Sequence, residues 1–134
     1  MDIALVVDSS GSIGRSNWER VKRFLKALVS KLDVSPSATH LAVISYSTNP
    51  KVELRFNGLQ DTDEVNRKLD DMIWQRGLTY TDKALQLANR DLFQVSNGMR
   101  SSVRKVISHH ENCYSIWPWY FCQITCITFW FIML

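Results

Sequence analysis

Five consecutive apolar residues, Ile3-Ala4-Leu5-Val6-Val7, run directly into Asp8-Ser9-Ser10-Gly11-Ser12. A strand with one face in water alternates polar and apolar side chains, so an unbroken, largely β-branched run predicts a strand buried on both faces. Such strands lie at the centre of parallel sheets covered by helices on each side. The turn-forming residues that follow mark its carboxyl end, the edge at which α/β sheets hold ligands.

The chain beyond alternates between helix and strand signals. Ser16 and Glu19 have the spacing of a capping box, and Trp18, Val21, Phe24, Leu25, Leu28, Val29 and Leu32 recur on one helical face over about four turns. After Ser35-Pro36-Ser37, the run Leu41 to Ser47 predicts a second strand, broken by Thr48-Asn49-Pro50. Val52, Leu54 and Phe56 alternate with Glu53, Arg55 and Asn57, the period of a half-exposed antiparallel edge strand blunted by charge. Asp61 and Glu64 repeat the capping spacing before a helix that buries Val65, Leu69 and either Met72 or Ile73. A loop from Trp74 to Thr81 leads to a third helix with Ala84, Leu85, Leu87, Ala88 and Leu92 on its apolar face, extending to about Phe93 and ended by Ser96-Asn97-Gly98. Val103 to Ile107 begins a further buried strand. The order predicts an α/β fold with a doubly wound, mostly parallel sheet and flanking helices, incomplete in its C-terminal half.

Charge excludes some partners. Sixteen basic and 13 acidic residues are interspersed, giving +3 without the clustered Lys/Arg stripe that a phosphate-tracking surface needs, so nucleic acid is not an expected partner. The texture changes near residue 107. Glu111 is the only Asp, Glu, Lys or Arg beyond it, and all three cysteines (Cys113, Cys122, Cys126) lie there. Two segments are therefore expected, a folded body over 2–107 and an aromatic, cysteine-rich tail over 108–134. The odd cysteine count argues against a closed disulfide framework, and the adjacent His109 and His110 with Cys113 make a poor zinc set. Ile116 to Leu134 is uncharged and about long enough to cross a bilayer, but Pro118, Gln123, Thr125 and Thr128 and the lack of flanking basic residues weaken an anchor. Membrane contact is expected only if that tail is an anchor.

Asp8, Ser10 and Ser12 place one carboxylate and two hydroxyls at alternate positions of a tight loop, so their oxygens can turn toward one point. Hard oxygen donors suit a hard cation such as magnesium, with manganese as a substitute. Asp8-Ser9-Ser10-Gly11-Ser12-Ile13-Gly14 after an apolar strand resembles the first segment of the metal-ion-dependent adhesion site of von Willebrand factor A domains, and Gly77 to Leu85 resembles the second. The resemblance implies that Asp8, Ser10, Ser12 and Thr79 coordinate Mg²⁺. It also implies an open coordination position for an exposed Asp or Glu of a protein partner, with collagen or another matrix protein among the partners, and an extracellular setting. On the residues alone, one of Thr79 and Thr81 reads as a ligand and the other as a cap of the following helix, and Asp82 reads as a first-turn acid favoured by the helix dipole.

The likeness covers about residues 2–107. In the family an apolar strand ends in Thr-Asp-Gly, whose aspartate completes the site; here Ile107 leads into Ser108-His109-His110-Glu111. A metal-incompetent, truncated product without binding activity is therefore an alternative to the adhesion module. A doubly wound phosphate-handling enzyme using Asp8 is the other, but no P-loop lysine, paired catalytic aspartate or general base accompanies it. The chain reads as a binding protein rather than an enzyme. Its amino end has no basic region or cleavage site and its apolar run, Ile3 to Val7, is too short for a signal peptide, which leaves a cytosolic chain or one whose targeting segment lies upstream.

Overall fold

The computed structural model describes residues 1–110 and 130–133, with side chains described for residues 1–108. In chain order the elements are β1 (Asp2–Asp8), α1 (Arg15–Val29), β2 (His40–Tyr46), β3 (Lys51–Leu54), α2 (Thr62–Asp71), α3 (Thr81–Leu87), β4 (Lys105–His110) and β5 (Trp130–Met133). They form one five-stranded sheet in the order β3-β2-β1-β4-β5. β1 pairs in parallel with β2, from Asp2 opposite His40 to Asp8 opposite Tyr46, and in parallel with β4, from Asp2 opposite Lys105 to Val7 opposite His110. The two outer strands are antiparallel to their neighbours. This is the expected mostly parallel α/β sheet.

Every residue of β1 is buried, and its side chains alternate between two cores. Ile3, Leu5 and Val7, with Leu41 and Val43 of β2, meet Trp18, Val21, Leu25 and Val29 of α1 and Val65 and Leu69 of α2. Each such side chain removed from water contributes about 1.5–3 kcal/mol. On the opposite face Ala4, Val6, Ala42, Ile44 and Tyr46 meet Phe56, Ala84, Ala88 and Leu92. The alanines on both sides of that seam let α3 approach the sheet closely.

Several expectations need correction. The incomplete C-terminal half does not leave β1 with an open edge or face: β4, the strand expected from Val103 onward, closes that edge and both faces are packed. In the tail, β5 begins at Trp130 and pairs with β4, with Met133 opposite Val106. The capping box at Ser16 and Glu19 does not form. The chain enters α1 through a 3₁₀ turn (Gly11–Ile13) and Gly14 at φ 73, so the helix starts at Arg15 and Ser16 falls inside its first turn. At α2 the expected cap is present, with Asp61 Oδ1 accepting from the Glu64 N–H at 2.8 Å. Met72 is buried there and Ile73 is 65% exposed.

β3 does not keep one apolar face. A bulge between Val43 and Ile44 shifts the register, so Leu54 reaches the α1/α2 core while Val52 and Phe56 pack toward α3. The third helix is regular only to Leu87, then widens into a π-helical turn over Ala88–Leu92, in which the Phe93 N–H reaches Ala88 O at 3.1 Å. Gly98, at φ 90, closes the segment where any Cβ would collide with the Asn57 backbone. Among the described residues no helix is long and apolar enough to cross a membrane. Most of the suggested span 116–134 lies outside the described residues, as do the three cysteines.

Candidate metal centre

The site is built at the carboxyl edge of β1 and β2. Asp8, the last residue of β1, is 1% exposed, and its Oδ1 accepts the Ser10 N–H at 2.7 Å. This two-residue side-chain-to-backbone bond is an Asx turn, and it reverses the chain immediately after the strand. The reversal brings the Ser10 and Ser12 hydroxyls to 2.9 Å from each other. Ser10 is fully buried, whereas Ser12 is exposed at the lip. Ser9 faces the other way, with its N–H and Oγ both donating to Tyr46 O, at 2.7 and 2.9 Å.

The loop between α2 and α3 is stitched onto this turn at three points. Trp74 Nε1 donates to Ser10 O at 2.8 Å, the Arg76 N–H to Ser9 O at 3.0 Å, and the Gly11 N–H to Gly77 O at 3.0 Å. The approach is close enough that a Cβ on Gly11 would stand 3.3 Å from Gly77 O. Gly77, at φ 83, has no room for a side chain, because a Cβ would stand 2.6 Å from Thr48 Oγ1. Thr79 is exposed between two anchored neighbours: the Leu78 N–H donates to Thr48 Oγ1 at 3.0 Å and the Tyr80 N–H to Ser47 O at 3.1 Å.

A buried polar chain supports this loop from beneath. Gln75 Nε2 donates to Ser45 Oγ at 2.8 Å while its Oε1 accepts from Ser47 Oγ at 3.1 Å. Ser45 in turn donates to Glu53 Oε1 at 2.6 Å, and Lys51 pairs with Glu53 at 2.7 Å. The edge hairpin is thereby tied to the ligand-side loop.

Of the four residues singled out in the sequence, Asp8, Ser10 and Ser12 share one turn, and Thr79 sits on the loop fastened to it. Among the described residues no hydrogen bond joins the Thr79 side chain to the other three. Thr81 is not the helix cap, a position taken by Tyr80; its Oγ1 lies 3.3 Å from Tyr46 OH. Asp82 lies in the first turn of α3, in keeping with the dipole reading. Sequence reasoning missed Trp74, Gln75, Thr48 and Glu53. Ser45 and Ser47, two polar residues of like parity ending a buried strand, were the one available signal.

The donor set, one buried carboxylate beside hydroxyls, fits a hard divalent cation that keeps part of its water. Among the described residues no group of three His, Cys, Asp or Glu converges as a metal site.

Comparison with known proteins places this geometry in a family. The family described as von Willebrand factor type A domain matches residues 2–108. The chain is 32% identical to von Willebrand factor of Rattus norvegicus over 108 residues, 80% of this chain and 25% of that protein. It is 33% identical to the collagen alpha-6(VI) chain of Homo sapiens, over 79% of this chain and 5% of the relative. With integrin alpha-2 of Bos taurus the identity is 33%, over 80% and 9%. The chain thus spans a quarter or less of these relatives. Among solved structures, proximal thread matrix protein 1 from the mussel byssus superposes with a TM-score of 0.75 at 21% identity, covering 81% of this chain and 29% of that one. A second structure of that protein, with a zinc-occupied MIDAS motif, has a TM-score of 0.70 at 21% identity over 75% of this chain and 28% of that one. The sheet order, the buried Asp8 turn and the match over residues 2–108 have one reading: the chain belongs to the von Willebrand factor type A domain family.

Proposed function

We propose that this chain is a divalent-cation-dependent protein-binding module of the adhesion and matrix type, in which Asp8, Ser10, Ser12 and Thr79 hold Mg²⁺. The observation that carries the reading is the three-point seam joining the Asp8 turn to the Thr79 loop, which sets two separate oxygen-bearing segments at one edge. Mn²⁺ suits the same donors. When bound, the cation supplies an electrophilic coordination position for an Asp or Glu of the partner.

Asp8 contributes the charge, and its burial keeps water from competing for the carboxylate. The serine and threonine hydroxyls are neutral, so they leave the site positive overall and ready for an anionic group. A charge-assisted bond to a partner carboxylate is strong and directional, which suits recognition of an acidic side chain presented by a matrix protein such as collagen. The relatives' names support an extracellular role. Among the described residues no catalytic nucleophile with its base accompanies the turn, and we read the domain as a binder rather than an enzyme.

A metal-incompetent domain is the second reading, favoured by the residues ending β4, Ser108-His109-His110, where the family supplies an aspartate shortly after. Thermal melts with and without Mg²⁺ separate the two. At a hundredfold excess over Kd, binding stabilises by about 2.7 kcal/mol, roughly 10 °C for a domain of this size. The shift is expected in the unmutated chain and absent from Asp8→Ala. Equal responses in both would leave the second reading standing.

A further inference from the structure

The loop that carries Thr79, together with the first turn of α3, also presents two cations and an apolar side chain. Arg76 and Lys83 are exposed, and Leu78 between them is 61% exposed. Each cation stands over an aromatic ring of its own segment, Arg76 Cζ 5.0 Å from the Trp74 ring centre and Lys83 Nζ 4.1 Å from that of Tyr80. A ring beneath a cation limits its rotamers, so less entropy is lost when an anion pairs with it.

Charge bookkeeping points the same way. Among the described residues neither cation is in an ion pair, a state they share with eight other basic residues, so both are open to an anion from outside. Asp82 is the one acidic residue from 74 to 83, against Arg76 and Lys83, so the segment keeps a net positive charge beside a site read as cationic. Arg76 also holds φ 61, an unfavourable backbone conformation for a side chain of its size, and its N–H is one of the three seam bonds. The guanidinium is thus attached to the same frame as the Asp8 turn.

We propose that Arg76, Leu78 and Lys83 form a second recognition element beside the metal centre, selecting an acidic protein segment with two nearby carboxylates. One carboxylate engages the metal centre. The other pairs with Arg76 or Lys83, and an apolar side chain of the segment packs on Leu78. The proposal rests on the metal-centre reading given above.

Fluorescence anisotropy with labelled synthetic peptides tests it on the full chain. One peptide carries a single Glu in a Gly/Ser background; companions add a second Glu two to four residues away. In Mg²⁺ the best two-Glu peptide is expected to bind about tenfold more tightly than the single-Glu peptide, the worth of one added charge-assisted contact. The double variant R76Q/K83Q is expected to bind both alike, with an unchanged melting temperature showing that it is folded. Equal binding of both peptides by the unmutated chain, or a gain that survives in the double variant, overturns the second element while leaving Mg²⁺-dependent single-Glu binding intact. Heparin oligosaccharide binding in EDTA, lost in the double variant and unaccompanied by any two-Glu gain, would assign the pair to a sulfated glycan and overturn the proposal. No binding of either peptide in Mg²⁺, with melts of the unmutated chain indifferent to the ion, removes both readings together.

Discussion

A carboxylate at 1% exposure, as at Asp8, is stable only where hydrogen bonds or a cation offset its desolvation. Its bond to the Ser10 N–H makes the turn a consequence of the aspartate rather than a separate feature. The opposing loop depends on a residue with no side chain. Gly77→Ala forces a Cβ into Thr48 Oγ1 at a positive φ, and is expected to cost about 1–2 kcal/mol for the backbone conformation alone. Urea unfolding measures that loss, and a Mg²⁺ titration of the same variant should show weaker affinity because the seam at Gly11 is displaced. The candidate ligands on the first turn were legible in the sequence because Asp8, Ser10 and Ser12 lie within five residues. The bond from Trp74 to Ser10 spans 64 residues, and nothing local in either segment announces it.

At the scale of elements, two similar capping signatures had different outcomes. Asp61 caps α2, and Asp61→Ala is expected to lose about 1 kcal/mol in chemical denaturation. Ser16 lies within the first turn of α1, so Ser16→Ala should change stability by less than about 0.5 kcal/mol. The signature alone could not separate them, because the path from Asp8 through the 3₁₀ turn, set by tertiary contacts, decides where α1 begins. The bulge between β2 and β3 was hidden for the same reason: Val52, Leu54 and Phe56 alternate perfectly in sequence, and the extra β3 residue that sends Val52 and Leu54 to different cores shows only against the partners Ile44 and Val43. Gln75 binds the hairpin to the candidate metal loop. Gln75→Leu leaves two buried serine hydroxyls short of a partner, at about 1–3 kcal/mol, and calorimetric Mg²⁺ titration should show a larger effect than for an exposed-site control such as Gln86→Leu.

The whole molecule is closed by an ion pair at the opposite end of β1 from the candidate site. Asp2, fully buried at the start of β1, accepts from Arg100 Nε and from the Arg100 N–H, each at 2.8 Å, while Arg100 Nη2 donates to Met1 O and Ala38 O, also at 2.8 Å. Arg100→Met removes the guanidinium and leaves that carboxylate only the backbone N–H of residue 100, and should cost about 3–5 kcal/mol, a large part of the roughly 5–15 kcal/mol that a domain holds. Adding Asp2→Ala should recover part of the loss in equilibrium unfolding, the mark of a coupled pair. Periodicity and β-branching made the central sheet legible from the first residues. β5 was not, since its stretch shows no clean alternation and its place depends on β4.

β1 and β4 run in parallel and in register from Asp2 opposite Lys105 to Val7 opposite His110. A pull that draws the amino end of β1 away from the carboxyl end of β4 therefore loads their hydrogen bonds together, in shear, with the Asp2–Arg100 clasp bearing part of the same load. Bonds strained side by side must fail together, whereas those of a peeled strand fail one at a time. The arrangement that buries the domain's first strand is thus also one suited to carrying tension.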